Sequence, residues 1–211
     1  MPSLLIRLLD FLFPPRCCIC RDFNSEPLCA KCQGQVVYLN DYFSLEGQQG
    51  FCIGVYEGVL KKAVWQLKFQ KRTELLSALQ AIIADNFPAG FRDADLLVPV
   101  PLSARRLKDR GFNQAERLLQ KTAQALNKPV ETSLVQRTKD TRPLFTLKNE
   151  SDRHQELDGA FVLTDPDRVR GKSILLFDDI ITTGTTILTI SKLLTEAGAK
   201  SIYVLGLART L

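Results

Sequence analysis

Short unbroken apolar runs alternate along this chain with stretches in which apolar residues recur at helical spacing, a pattern of buried strands and covering helices. Phe51-Cys52-Ile53-Gly54-Val55-Tyr56 reads as a strand, with Glu57-Gly58 as a turn. Leu60, Ala63, Val64, Leu67 and Lys68 then mark one face of a helix over residues 59–69. Leu75, Leu76, Leu79, Ile82 and Ile83 mark a second helix, ended by Asn86 and Pro88. Asp95 to Pro101 reads as another buried strand, its prolines marking where the ladder stops. Ala115, Leu118, Leu119, Ala123 and Leu126 predict a helix, and strands are expected near Leu134-Val135 and at Phe161-Val162-Leu163. Ile174-Leu175-Leu176-Phe177 reads as a strand buried on both faces that ends abruptly in acid. Ile187, Ile190, Leu193 and Leu194 follow at helical spacing up to Gly198, a C-terminal stop. Ser201 to Leu211 reads as a final strand with a short tail. The alternation predicts an α/β fold with a mostly parallel central sheet.

Chemistry concentrates where that acid-terminated strand turns into a helix. Asp178 and Asp179 sit at the mouth of the sheet, and Thr182, Thr183, Thr185 and Thr186 flank Gly184 just before the helix. A helix N-terminus offers unpaired N–H groups and the positive end of the dipole to an anion. Glycine lets the backbone approach closely, and each threonine adds a hydroxyl donor. A phosphate monoester fits that turn. The carboxylates repel phosphate, so they suit the vicinal hydroxyls of a ribose, or a divalent cation bridging to it. The expected ligand is a phosphorylated ribose.

A second charged segment follows the strand at Val98. Leu102 to Gln114 contains Arg105, Arg106, Lys108 and Arg110 against Asp109 alone, and it reads as a loop at a strand end. Guanidinium groups donate paired hydrogen bonds to phosphate oxygens, so Ser103, Arg105, Arg106 and Arg110 are candidates to bind a pyrophosphate.

At 211 residues the chain can bury one main core plus a small module, and its formal charge of +5 suits anionic ligands without requiring them. Five of the six cysteines fall between residues 17 and 32. Cys17 with Cys20 and Cys29 with Cys32 form two C-x-x-C pairs, the spacing of a tetrahedral, structural Zn²⁺ site. Cys18 could replace Cys17 in a C-x-C arrangement, and in an oxidising compartment the same cysteines would be disulfides. Cys52 reads as a small core residue and His154 as a surface residue. Leu4 to Phe13 is interrupted by Arg7 and Asp10, which makes it a short amphipathic helix packing on the body rather than a membrane span or signal peptide. No other stretch is long enough to cross a bilayer, and the chain reads as cytoplasmic. The expected division is 1–48 for the N-terminal helix and zinc module and 49–211 for the main domain.

The run Ile174 to Thr186 resembles the phosphoribosyl pyrophosphate (PRPP) motif of type I phosphoribosyltransferases. Val98-Pro99-Val100-Pro101-Leu102, Arg106 and Arg110-Gly111-Phe112-Asn113-Gln114 resemble the signature of the ComF family of competence-associated proteins. So do Leu12-Phe13-Pro14-Pro15-Arg16-Cys17, the cysteine pairs, Leu67-Lys68-Phe69 and Gly159-Ala160-Phe161. The resemblance covers nearly the whole chain. It implies a type I phosphoribosyltransferase fold with an N-terminal four-cysteine zinc ribbon, Mg²⁺ accompanying PRPP, and a role in natural transformation alongside a helicase-like partner. The physiological acceptor is not implied. By resemblance Asp178 and Asp179 hold the ribose hydroxyls and residues Thr182 to Thr186, with Gly184, cradle the 5′-phosphate. Many relatives have glutamine in place of Leu144 and asparagine in place of Glu156, whereas Arg137, Thr141, Leu147 and Arg153 match. Many also carry a second pair of knuckles where this chain keeps only Cys52, which suggests a single-zinc ribbon.

Lys139 to Asp158 is polar and takes the position of the flexible loop that type I enzymes fold over the site, where Lys139, Arg142 or Arg153 would meet the departing pyrophosphate. Three functions follow: transfer of phosphoribosyl to an unidentified acceptor, PRPP sensing without transfer through a protein partner in DNA uptake, and binding of single-stranded DNA by the arginine loop and zinc ribbon. The short segment after the PRPP motif leaves little room for a nucleobase hood, and this favours the sensor.

Overall fold

A computed structural model describes residues 14–141 and 150–211. Its strands are β1 Tyr38–Leu45, β2 Gln48–Val55, β3 Leu96–Pro99, β4 Val135–Arg137, β5 Phe161–Leu163, β6 Ser173–Ile181 and β7 Ser201–Arg209. Five of them form the central sheet in the order β1-β2-β7-β6-β3. All neighbours pair in parallel except the β1–β2 hairpin at one edge. A separate antiparallel ribbon joins β4 to β5. The helices are α1 Ala30–Gln33, α2 Gly58–Phe69, α3 Leu76–Asp85, α4 Ala104–Arg110, α5 Gln114–Leu126, α6 Glu150–Leu157 and α7 Thr185–Glu196. Among the described residues, no helix is long and apolar enough to cross a membrane. The expected N-terminal helix over Leu4 to Phe13 lies outside the described residues, as does Arg142.

Strand β6 shows why an unbroken apolar run is needed. Successive side chains point to opposite faces, so Leu175 and Phe177 enter one core while Ile174 and Leu176 enter the other. The first core joins the sheet to α2, α3 and α5 through Leu60, Leu67, Leu79, Ile83, Leu118 and Leu119. The second joins it to α7 through Ile187, Ile190 and Leu194, and to the β4–β5 ribbon through Val135 and Phe161. Each such side chain removed from water contributes about 1.5–3 kcal/mol.

Several elements differ from the expectation drawn from pattern. Strand β6 does not stop at the acid: it continues through Asp178 and Asp179 to Ile181, because β7 keeps pairing alongside it as far as Arg209. The arginine segment is not a loop. Residues 104–110 form α4, whose start is capped by Ser103 and whose end is closed by Gly111 at φ 83°. The expected lid loop contains helix α6, whose Leu157 is fully buried in the second core. Strand β1 has an irregular pattern, and it is held by pairing with β2 and by the packing of Phe43 and Leu45 against the second core.

Candidate functional site

The two chains leaving β3 and β6 go to opposite sides of the sheet. After β3 the chain runs through α4 into α5 on the first core, and after β6 it enters α7 on the second. Because the strands are hydrogen-bonded neighbours, their carboxyl ends open a crevice between the diverging helices.

Strand alternation separates the two acids. Asp179 shares the face of Leu175 and Phe177, is 2% exposed, and pairs through Oδ1 with Lys68 Nζ of α2 at 2.8 Å. Its Oδ2 is buried without a hydrogen-bond partner. Asp178 is partly exposed, and its Oδ1 accepts from the Asp179 backbone N–H at 2.9 Å. Burial of the carboxyl pushes Asp178 up to about 8, the Asp179 charge reinforces the shift, and Lys68 opposes it. Burial, then the Asp179 charge, also raises the Tyr56 phenol.

Beyond the acids, Thr182 and Thr183 are exposed in the turn, Gly184 and Thr185 are buried, and Thr186 is intermediate. Thr185 and Thr186 are the first residues of α7. Gly184 is the N-cap at φ 76° and no side chain caps the helix, so its first-turn N–H groups lack a built-in side-chain acceptor. The Thr183 and Thr185 hydroxyls lie 2.8 Å apart. Packing closes the other side of Gly184: a Cβ there would lie 2.8 Å from both Leu45 methyl carbons, at the end of β1.

The arginine helix brings its residues to unequal positions. Arg110 is half-buried, donates to Gln114 Oε1 at 2.8 Å and lies over the Phe69 ring, 5.5 Å from its centroid. Burial lowers its ionisation, while Asp179 and Asp178 favour its charge. Arg106 is intermediate in exposure, and Arg105 is exposed. Ser103 is buried and its hydroxyl accepts from the Arg106 N–H at 3.4 Å, so its side chain shapes the turn. Asn113 ties α5 to the strand end by donating to the Val100 carbonyl at 3.0 Å.

Two site residues escape sequence reasoning. Lys68 is legible only as an odd charged position on an apolar helix face, a signal that calls for a buried partner. Arg137 enters the sequence reading as a family match without a role. It is half-buried, bonds Thr141, and lies over the Phe161 ring. Burial, with Arg106 next, pushes it down to about 10 even though Asp178 favours its charge, and its Nε has no partner. Lys139 instead closes the ribbon, its Nζ donating to the Asp158 carbonyl at 2.6 Å.

Far from the crevice along the chain, Cys17, Cys20, Cys29 and Cys32 bring their sulfurs within 4.8 Å of one another. Two of the edges are 3.8 Å (Cys17–Cys32) and 3.7 Å (Cys20–Cys29). A tetrahedron with Zn–S bonds of about 2.3 Å has edges of about 3.8 Å, so the four residues fit a structural zinc. Cys17, not Cys18, joins the set: the Cys18 sulfur turns to Glu74 at 3.9 Å, and the Cys18 carbonyl accepts from Gln66 Nε2 of α2 at 3.0 Å. Cys52 is fully buried and burial pushes its thiol up to about 11, as suits an inert core residue.

Comparison with known proteins follows this division. Residues 8–43 match the double zinc ribbon domain, and residues 112–209 match the phosphoribosyl transferase domain. The "DNA utilization protein YhgH" of Escherichia coli K12 is 35% identical over 161 residues, 74% of this chain and 70% of that protein. The "Competence protein F" of Haemophilus influenzae is 31% identical over 207 residues, 90% of this chain and 87% of that protein. Among solved structures, the glutamine PRPP amidotransferase of B. subtilis is 22% identical with a TM-score of 0.41, covering 62% of this chain and 26% of that one. Matched along most of the length of these two relatives, the chain belongs to the ComF family, with a phosphoribosyltransferase domain behind a zinc ribbon.

Proposed function

We propose that the crevice binds PRPP and that the protein transfers its phosphoribosyl group to an acceptor, releasing pyrophosphate. The observation that carries this reading is the buried, unpartnered Asp179 Oδ2 near the end of β6, the strand that leads into an uncapped helix N-terminus at the junction of β3 and β6. An orphaned carboxylate oxygen calls for a donor, and an uncapped helix start calls for an anion. A ribose 5-phosphate supplies both at once.

In this reading the first turn of α7, with Thr182 to Thr186, holds the 5′-phosphate, and the acid pair accepts from the ribose hydroxyls. Arg106 and Arg110 meet the pyrophosphate, joined by Arg137, which lies within reach of the charges of Arg106 and Asp178. Mg²⁺ bound with PRPP would neutralise charge on the pyrophosphate oxygens. The bond from the anomeric carbon to the pyrophosphate oxygen breaks, and its electron pair leaves with pyrophosphate. A bond forms from the acceptor nitrogen, which then sheds its proton. The chain's contribution is positioning and charge stabilisation. The names of the E. coli and H. influenzae relatives support a setting in DNA uptake or utilisation.

The test is calorimetric titration of zinc-loaded protein with PRPP in Mg²⁺, followed by assay of pyrophosphate release with a panel of nucleobases. Binding with release is the expected result. Binding without release from any acceptor would favour a PRPP sensor, and absence of binding would reject the reading.

A further inference from the structure

Helix α2 carries a lysine where the rest of its inner face is apolar. Val64 and Leu67 are fully buried, and the Lys68 side chain beside them is only 13% exposed. Its ammonium meets Asp179 Oδ1 at 2.8 Å, while Oδ2 of the same carboxylate stays unpartnered. A carboxylate this enclosed is costly to bury unless a cation faces it. Lys68 supplies that cation from one side only. The carboxylate is left with one oxygen unpartnered.

We infer that Lys68 is a positioning residue of the site: it clamps Oδ1, and thereby fixes the orientation of the Asp179 carboxylate and leaves Oδ2 as the acceptor for a ribose hydroxyl. The role rests on the reading of the crevice as a PRPP site. It needs no contact between lysine and ligand, since it acts through Asp179. The lysine's own place is fixed by its helical neighbours. Gln66 holds the carbonyl of Cys18 beside the zinc knuckle, and Phe69 lies under the guanidinium of Arg110. One helix therefore ties the cysteine module, the ribose acid and the arginine helix together.

The experiment is calorimetric titration with PRPP in excess Mg²⁺ of wild type, Lys68→Met and Lys68→Arg, with the melting midpoint of each ligand-free protein as a check on folding. Lys68→Met is expected to bind about tenfold more weakly or worse, the loss of a charge-assisted contact, and Lys68→Arg to stay within about threefold of wild type. If Lys68→Met does not melt cooperatively, Lys68→Gln, which keeps a donor but no charge, carries the same expectation. Failure of wild type to bind removes the PRPP reading and this role with it. Wild-type binding with unchanged affinity in Lys68→Met overturns the positioning role alone. So does tighter binding, which would make the lysine a plug, and so does equal weakness in Lys68→Arg, which would mean that the ammonium itself touches PRPP.

Discussion

Asp178 and Asp179 are adjacent in sequence and opposite in environment. Asp179 has a lysine against it, whereas the burial that raises Asp178 is only partly offset by Lys68. An unfolded Asp loses its proton near about pH 4, and the folded carboxyl keeps its proton to about pH 8. Between these values the folded state binds more protons, so the contribution to stability is complete below about pH 4 and is lost as pH rises through about 8. Asp178→Asn should therefore flatten the decline in urea midpoint between about pH 5 and about pH 9, and should be more stable than wild type at the upper end; an unaltered decline would show that the acid is not the source. Cysteine placement gives a second prediction at this scale. Cys17→Ser should lower the zinc content measured by colorimetric release, while Cys18→Ser should retain one zinc per chain, because only the Cys17 sulfur faces the other three.

At the scale of elements, the turn into α7 depends on one residue without a side chain. Gly184 has a left-handed backbone, which costs other residues about 1–2 kcal/mol, and Leu45 occupies the space a Cβ would need. Gly184→Ala should destabilise by at least that much in chemical denaturation, and should weaken PRPP binding as the phosphate turn shifts. Undiminished stability and affinity together would mean that the turn relaxes freely. The clash also shows that the edge hairpin β1–β2 braces the turn into α7. No local pattern announces this: β1 is mostly exposed and polar, and its partner across the turn is distant in sequence. Helix α4 is hidden for a related reason. It buries none of its residues, so it lacks an apolar stripe, and only its caps, Ser103 and Gly111, carry a local signal.

For the whole molecule, the cysteine module and the main domain share one core. Cys17, Leu28, Cys29, Cys32 and Val36 belong to the same apolar cluster as the inner faces of α2 and α3. Zinc removal by a strong chelator should therefore lower the melting midpoint of the phosphoribosyltransferase domain itself, read by calorimetry, instead of melting a separate module; two independent transitions would contradict the shared core. Given the Gln66 link to α2, the same treatment should weaken PRPP binding. The sequence by itself determined the strands and helices that carry clear periodicity, the four zinc ligands up to the choice between Cys17 and Cys18, and the acid pair with its threonine turn. Each of these is a local pattern, in which spacing along the chain dictates spacing in space. Only the tertiary structure decided which acid is buried, which lysine faces it, which arginines approach the acids, and that Leu45 closes over Gly184. Those facts arise from contacts between segments far apart in the chain, where the packing of strands and helices, and not any neighbour in sequence, sets the distance.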